Sequence, residues 1–150
     1  MKKLAFEISI NSAKERVWET MLSHGSYEQW VAASWPNTTY EGEWKEGSTI
    51  KFIGEDQSGT LAEIDELKPY EYISALHKAV LNPGGVEDRD SDVAKGWIGT
   101  TESYSFTQNN GQTDVTVEIN TKPEWEKMFS DGWPKALSAL KALCEGNNIA

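Results

Sequence analysis

The chain has 150 residues and sets 24 acidic side chains against 14 basic ones, a formal charge of −10. That balance excludes a nucleic-acid backbone or an anionic lipid headgroup as the natural partner, because both call for a Lys/Arg surface. The single cysteine, Cys144, permits no internal disulfide, and no apolar run approaches the ~20 residues of a membrane span.

The length suits one domain, residues 1–150, able to bury ~68–70% of its unfolded surface. With no signal-peptide core after Lys2-Lys3, the sequence reads as a soluble protein of a reducing, cytoplasmic compartment. Its seven tryptophans are many for this length and suit both cores and cavity walls.

Leu4, Phe6, Ile8 and Ile10 alternate with smaller or polar residues and predict a half-buried strand. Ser12 followed by Glu15 carries a capping-box pattern ahead of Val17, Trp18, Met21 and Leu22, a short amphipathic helix that His24-Gly25 ends. Ser26 with Gln29 repeats the pattern and opens a second short helix through Trp30. Past the Trp35-Pro36-Asn37 breaker, strands are predicted at 38–44, 49–53, 60–67 and 72–81. Leu61 and Ile64 break the two-residue period of the third of these and predict a bulge.

Residues 82–95 read as a Gly-rich acidic loop. A strand follows at 98–107, with Glu102, Tyr104 and Phe106 on one face. The Asn110-Gly111 hairpin then leads to alternating Thr113, Val115, Val117 and Ile119. Thr121 with Glu124, and Pro123 in the first turn, open the closing helical segment. Its residues Trp125, Met128, Phe129, Trp133, Ala136, Leu137, Leu140, Leu143 and Cys144 fall at helical spacing on one stripe. Pro134 lacks the N–H of a helix interior and predicts a break there, with a short helix before it and a long one to about Glu145. The order β-α-α-β-β-β-β-β-β-α is an α+β pattern: a curved antiparallel sheet of about seven strands wrapped on a long C-terminal helix.

Particular residues carry a family likeness. The segments concerned are Phe6 to Ser12 with Val17-Trp18; Gly42-Glu43-Trp44, Gly47-Ser48 and Ile50-Lys51-Phe52; Glu63-Ile64 and Pro69; Trp97, Gly99, Glu102, Tyr104 and Phe106 with Gly111 and Thr113; and Gly132 through Leu137 with Leu140-Lys141. Together they resemble the SRPBCC superfamily, also called the birch-pollen-allergen or START-like helix-grip fold. Within it, the chain is similar to the family named after the C-terminal domain of the heat-shock-protein-90 ATPase activator. The resemblance implies an apolar cavity between helix and sheet that takes lipids or other hydrophobic small molecules, and functions that vary among members.

Glu102 shares a strand face with two aromatics, so its carboxylate is expected to enter such a cavity, where burial raises a carboxyl pKa. His77 lies on an apolar strand face with Ile73, Ala75 and Ala79, where it reads first as a satisfied core residue, and it would form a polar pair with Glu102 if their strands are neighbours. His24 reads as a helix cap, and Cys144 as a small core residue. Asp88, Asp90 and Asp92 have the odd-position spacing of a calcium loop, but Arg89 intrudes, Val93 stands where that loop needs Gly and Gly99 where it needs Glu. No metal and no cofactor are expected, and the acidic loop reads as solvated.

Three functions remain open from the sequence. The first is binding of a lipid-like or polycyclic ligand by a cavity walled by Trp30, Trp44, His77, Trp97, Glu102, Tyr104, Phe106, Trp133 and Leu137. The second is a cyclase or hydratase using Glu102 or His77 as acid–base residue. The third, implied by the resemblance alone, is regulation of a chaperone ATPase as an interaction module.

Overall fold

The computed structural model describes residues 2–146, so the ends of the expected domain, Met1 and residues 147–150, lie outside it. The chain begins with strand β1 (Lys2–Ile10), helix α1 (Lys14–Leu22) and helix α2 (Ser26–Val31). Strands β2 (Thr39–Gly42), β3 (Thr49–Ile53), β4 (Gly59–Lys68), β5 (Tyr72–Asn82) and β6 (Val86–Asp88) follow. Then come helix α3 (Asp92–Trp97), strands β7 (Thr101–Asn109) and β8 (Gln112–Thr121), a single 3-10 turn at Pro123–Trp125, and helix α4 (Glu126–Cys144).

The strands form one curved antiparallel sheet in the order β1-β8-β7-β5-β4-β3-β2, with β6 added to β5. Register is set by the alternation read in the sequence: Leu4 faces Ile119, Phe6 faces Val117 and Ile8 faces Val115 across β1 and β8. The Asn110-Gly111 turn has φ of 51° and 81°, the left-handed pair that a two-residue type I′ hairpin requires. Register shifts at Leu61/Ala62 and Ile64/Glu66 supply the expected bulge in β4.

Helix α4 packs on β1, α1 and α2. Ile10, Val17, Met21, Ile50, Ile64, Val115 and Val117 are completely buried, as are Ala136 and Leu140 of α4 itself. The C-terminal end of α4 is tied to the start of the chain by polar bonds. Arg16 Nε donates to the Cys144 carbonyl at 2.6 Å, Lys141 Nζ to the Ser9 carbonyl at 2.7 Å, and the Asn11 N–H to the Glu145 carboxylate at 2.8 Å. The two guanidinium and ammonium groups also answer the exposed carbonyls and dipole at this end of the fold.

Several local expectations are corrected. Residues 82–95 are not an open loop: β6 pairs with β5, and α3 forms behind Ser91, whose hydroxyl accepts the Ala94 N–H at 3.1 Å. The sheet therefore has one strand more than expected, and β7 starts at Thr101 rather than at 98. Ser12 does not cap α1; Ala13 holds that position, and the Ser12 carbonyl instead accepts from the Thr113 hydroxyl at 2.7 Å. At α2 the capping position is Gly25, at φ 94°, whose N–H donates to the Glu28 carboxylate. His24 is no backbone cap: its ring stacks on Tyr40 at 4.0 Å and its Nδ1 lies 3.0 Å from Glu28.

Pro134 does not break α4, which runs unbroken from Glu126 to Cys144. The carbonyl that Pro134 leaves without a helical donor belongs to Ser130. Both residues are exposed, so water can take that bond.

Candidate functional site

A cavity of about 560 Å³ opens between α2, the N-terminal half of α4 and the sheet. Strands β3, β4, β5 and β7 contribute Phe52, Thr60, His77, Glu102 and Tyr104. Helix α2 contributes Tyr27, Trp30 and Val31, and α3 lays Trp97 across one side. From the closing segment come Trp125, Phe129 and Trp133, four residues apart in each case, so successive rings fall on one face of the helical path. Val93 and Met128 also line it and are more than half exposed, which marks the mouth.

The walls are built from two sets of ring contacts, one around Trp133 and one around Trp97. Trp30 and Trp133 have centroids 6.0 Å apart, Trp35 meets Trp133 edge-on at 5.5 Å, and Trp97 meets Trp125 at 5.7 Å. Gly132 is what lets Trp35 in: a Cβ there would come within 2.6 Å of the Trp35 ring. The Ser34 hydroxyl fixes the same junction by donating to the Gly132 carbonyl at 2.6 Å.

Besides Thr38 and Ser58, two polar clusters interrupt the apolar wall. The first is Glu102, which lies on β7 opposite Ala75 of β5. It lines the cavity and is half-buried. The Tyr104 hydroxyl donates to its Oε2. Burial raises the carboxyl above its ordinary value, and the Tyr104 hydrogen bond opposes that rise. Burial, and after it the charge of Glu102, also holds the Tyr104 and Tyr27 hydroxyls above theirs.

The second is the Thr60–His77–Trp97 cluster. His77 is 3% exposed, and burial pushes its imidazole down to about 4, so the ring is neutral at pH 7. Its Nδ1 lies 3.0 Å from the Thr60 hydroxyl, which also accepts the Trp97 indole N–H at 2.6 Å. The His77 and Trp97 rings have centroids 4.4 Å apart.

Of the nine residues expected to wall a cavity, Trp30, His77, Trp97, Glu102, Tyr104 and Trp133 line this one. Trp44, Phe106 and Leu137 do not. Phe106 shares the Glu102 face but lies four residues along β7, about 13 Å at strand rise, where it packs on Trp18 at 5.3 Å. Trp44 packs on Tyr40 and Phe52 at 5.3 and 5.6 Å. Leu137 is 2% exposed, one turn past Trp133, where α4 closes on the sheet. His77 and Glu102 stand on paired strands, yet the partner at the His77 ring nitrogen is Thr60.

Trp35, Trp125, Phe129, Tyr27 and Thr60 escaped the sequence reading. Trp125 and Phe129 had a signal, since they precede Trp133 on its stripe at four-residue steps; Thr60 had none. The acidic loop proves to be a hydrogen-bonded turn. Asp88 accepts from the Asp90 and Ser91 N–H groups and the Ser91 hydroxyl, which together hold its carboxyl down at about 2. Among the described residues no cluster of side chains has a metal-binding arrangement, and no helix is long and apolar enough to cross a membrane.

Residues 11–145 match the sequence profile of the family described as Activator of Hsp90 ATPase homolog 1-like protein. Among solved structures, the Aha1 dimer from Colwellia psychrerythraea is similar at 20% identity over 97% of each chain, with a TM-score of 0.73. Protein MLL2253 from Mesorhizobium loti is similar at 14% identity over 99% of this chain and 100% of its own, with a TM-score of 0.70. DynU16, a putative protein in the dynemicin biosynthetic locus, is similar at 15% identity over 98% of this chain and 49% of its own, with a TM-score of 0.69. These likenesses establish the helix-grip fold. No curated protein matches the chain in sequence.

Proposed function

The chain belongs to the Activator of Hsp90 ATPase homolog 1-like family, and from that premise we propose that it binds a small hydrophobic or amphipathic molecule, lipid-like or polycyclic, between α4 and the sheet. The observation that carries this reading is the cavity of about 560 Å³ walled by Trp30, Trp35, Trp97, Trp125, Phe129 and Trp133. Its size falls in the ~300–1,000 Å³ range of small-molecule sites, and such sites combine apolar walls with a few placed polar groups. Glu102 with Tyr104, and Thr60 with His77, are those groups here. That one similar structure comes from a small-molecule biosynthetic locus is in keeping with it.

Five tryptophans line the cavity, so a fatty acid, a sterol and a flavonoid titrated in turn should include at least one that changes tryptophan fluorescence saturably. Native mass spectrometry of freshly purified protein should show a copurified small molecule. No response to any of the three, with no added mass, would overturn the reading.

A second reading, acid–base chemistry on the bound molecule, is favoured by the Glu102–Tyr104 hydrogen bond, since a carboxyl with a raised pKa can hold a proton against a ligand. It requires that a bound molecule change mass or connectivity over time and that Glu102→Gln stop the change. The family's name adds a chaperone ATPase as a partner. A pull-down against that chaperone should then retain the protein, and its failure removes this possibility.

A further inference from the structure

Glu102 is a carboxylate without a cation. Its side-chain partner is the neutral Tyr104 hydroxyl, and the influences on its titration are burial and that hydrogen bond, with no Lys, Arg or His among them. The cavity wall contains no Lys or Arg at all among the described residues. An enclosed carboxylate costs stability unless a positive group or a full set of donors meets it.

The rings that share the cavity with Glu102 form a chain. Tyr27 meets Trp30 at 5.3 Å, Trp30 meets Trp133 at 6.0 Å, and Trp133 meets Tyr104 at 6.0 Å. Tyr27 and Tyr104 line the cavity together with Glu102, and Tyr104 is hydrogen-bonded to it. Four rings in series on the same cavity wall as a carboxylate favour a cation: ring faces carry negative potential, and the carboxylate supplies the charge. The segments bordering the mouth have the same sign. Residues 54–58 and 83–93 carry Glu55, Asp56, Glu87, Asp88, Asp90 and Asp92 against the single base Arg89, a field that draws cations toward the opening and turns anions away.

We propose that the ligand is an amphipathic organic cation, an apolar body ending in an ammonium group that takes its place between Glu102 and the rings of Tyr27, Trp30, Tyr104 and Trp133. This rests on the reading of the cavity as a ligand site and narrows it: a fatty acid brings a second negative charge to Glu102 and is the wrong end group.

The test uses the full chain and three probes with one aromatic body: naphthylethylamine, naphthylethanol and naphthylacetate, titrated by calorimetry at neutral pH. The amine should bind at least about tenfold more tightly than the alcohol, and the carboxylate least. Glu102→Gln, which keeps an acceptor for Tyr104, should erase the amine's advantage over the alcohol. Equal binding of amine and alcohol by the unaltered protein overturns the cation while leaving the cavity a ligand site. An amine preference that survives in Glu102→Gln assigns it to the acidic surface and likewise overturns the proposal. Failure of all three probes counts against the cavity reading itself. The comparison in the unaltered protein stands whether or not the variant folds.

Discussion

The indole N–H of Trp97 donates to the Thr60 hydroxyl at 2.6 Å, and the same hydroxyl lies 3.0 Å from Nδ1 of His77. One side chain on β4 thereby holds the last residue of α3 and the one histidine of the cavity. Thr60→Val keeps the shape but leaves both nitrogens without their partner. We expect a loss of about 2 kcal/mol, measured by urea unfolding, and a red shift of tryptophan emission as Trp97 loosens.

Glu102 should weaken the fold at neutral pH. Its folded pKa is raised, so the stability it contributes is fully present below the ordinary value of 4.5 and is lost as pH climbs toward the folded value. Glu102→Gln carries no such loss. Its advantage over the unaltered protein should be absent near pH 4 and grow as pH rises. By pH 7 the variant should melt above the unaltered protein. Thermal scans across that range check it, and a lower Tm for the variant at pH 7 contradicts it.

His77 acts on the acid side. Its folded pKa is depressed from 6.5 to about 4, so the unfolded chain binds the proton more readily between those values. Stability therefore falls as pH drops through that window, by about 3 kcal/mol from this residue. His77→Gln removes the titrating group. Urea unfolding of both proteins at several pH values isolates the effect: the stability of the unaltered protein relative to the variant should shrink as pH falls from 6.5 to 4.

Much of the fold was written in short-range pattern. The alternation in β1 and β8, the Asn110-Gly111 turn and the nine-residue stripe of α4 each specify one element, and together they leave the sheet one place to lie. The site was less legible, because a cavity is defined by where packing stops. Trp133 and Leu137 belong to the same stripe, yet one lines the opening and the other seals the core. Only the approach of α4 to β1 and α1 decides between them. Trp35 needed the gap at Gly132, and Thr60 needed the partners that β5 and α3 bring. The short α3 was missed for a different reason: six residues carry too little periodicity, although Ser91 stands at its cap.

Pro134 lowers the stability of a helix it fails to break. Its absent N–H leaves the Ser130 carbonyl to solvent, and a proline in a helix interior costs about 3 kcal/mol. Both residues are exposed, so Pro134→Ala restores the helical bond without touching the core. Stability should rise by about 1–3 kcal/mol, read from the urea midpoint. An unchanged midpoint would mean that the backbone around Ser130 already compensates in full.

The bonds from Arg16, Lys141 and Asn11 gather at the last turn of α4, while the cavity occupies the other end. Nearer the opening, the helix is held by the Ser34–Gly132 hydrogen bond and an exposed Lys2–Glu126 ion pair. From residue 144 the helix reaches back 19 residues, ~28 Å at helical rise. A tilt of a few degrees displaces Phe129 and its neighbours by an ångström or two and leaves Leu140 in place. On the proposed reading, a guest's girth is felt first at Phe129 and Trp133, which are themselves buried in the core, so widening the cavity costs packing at that end.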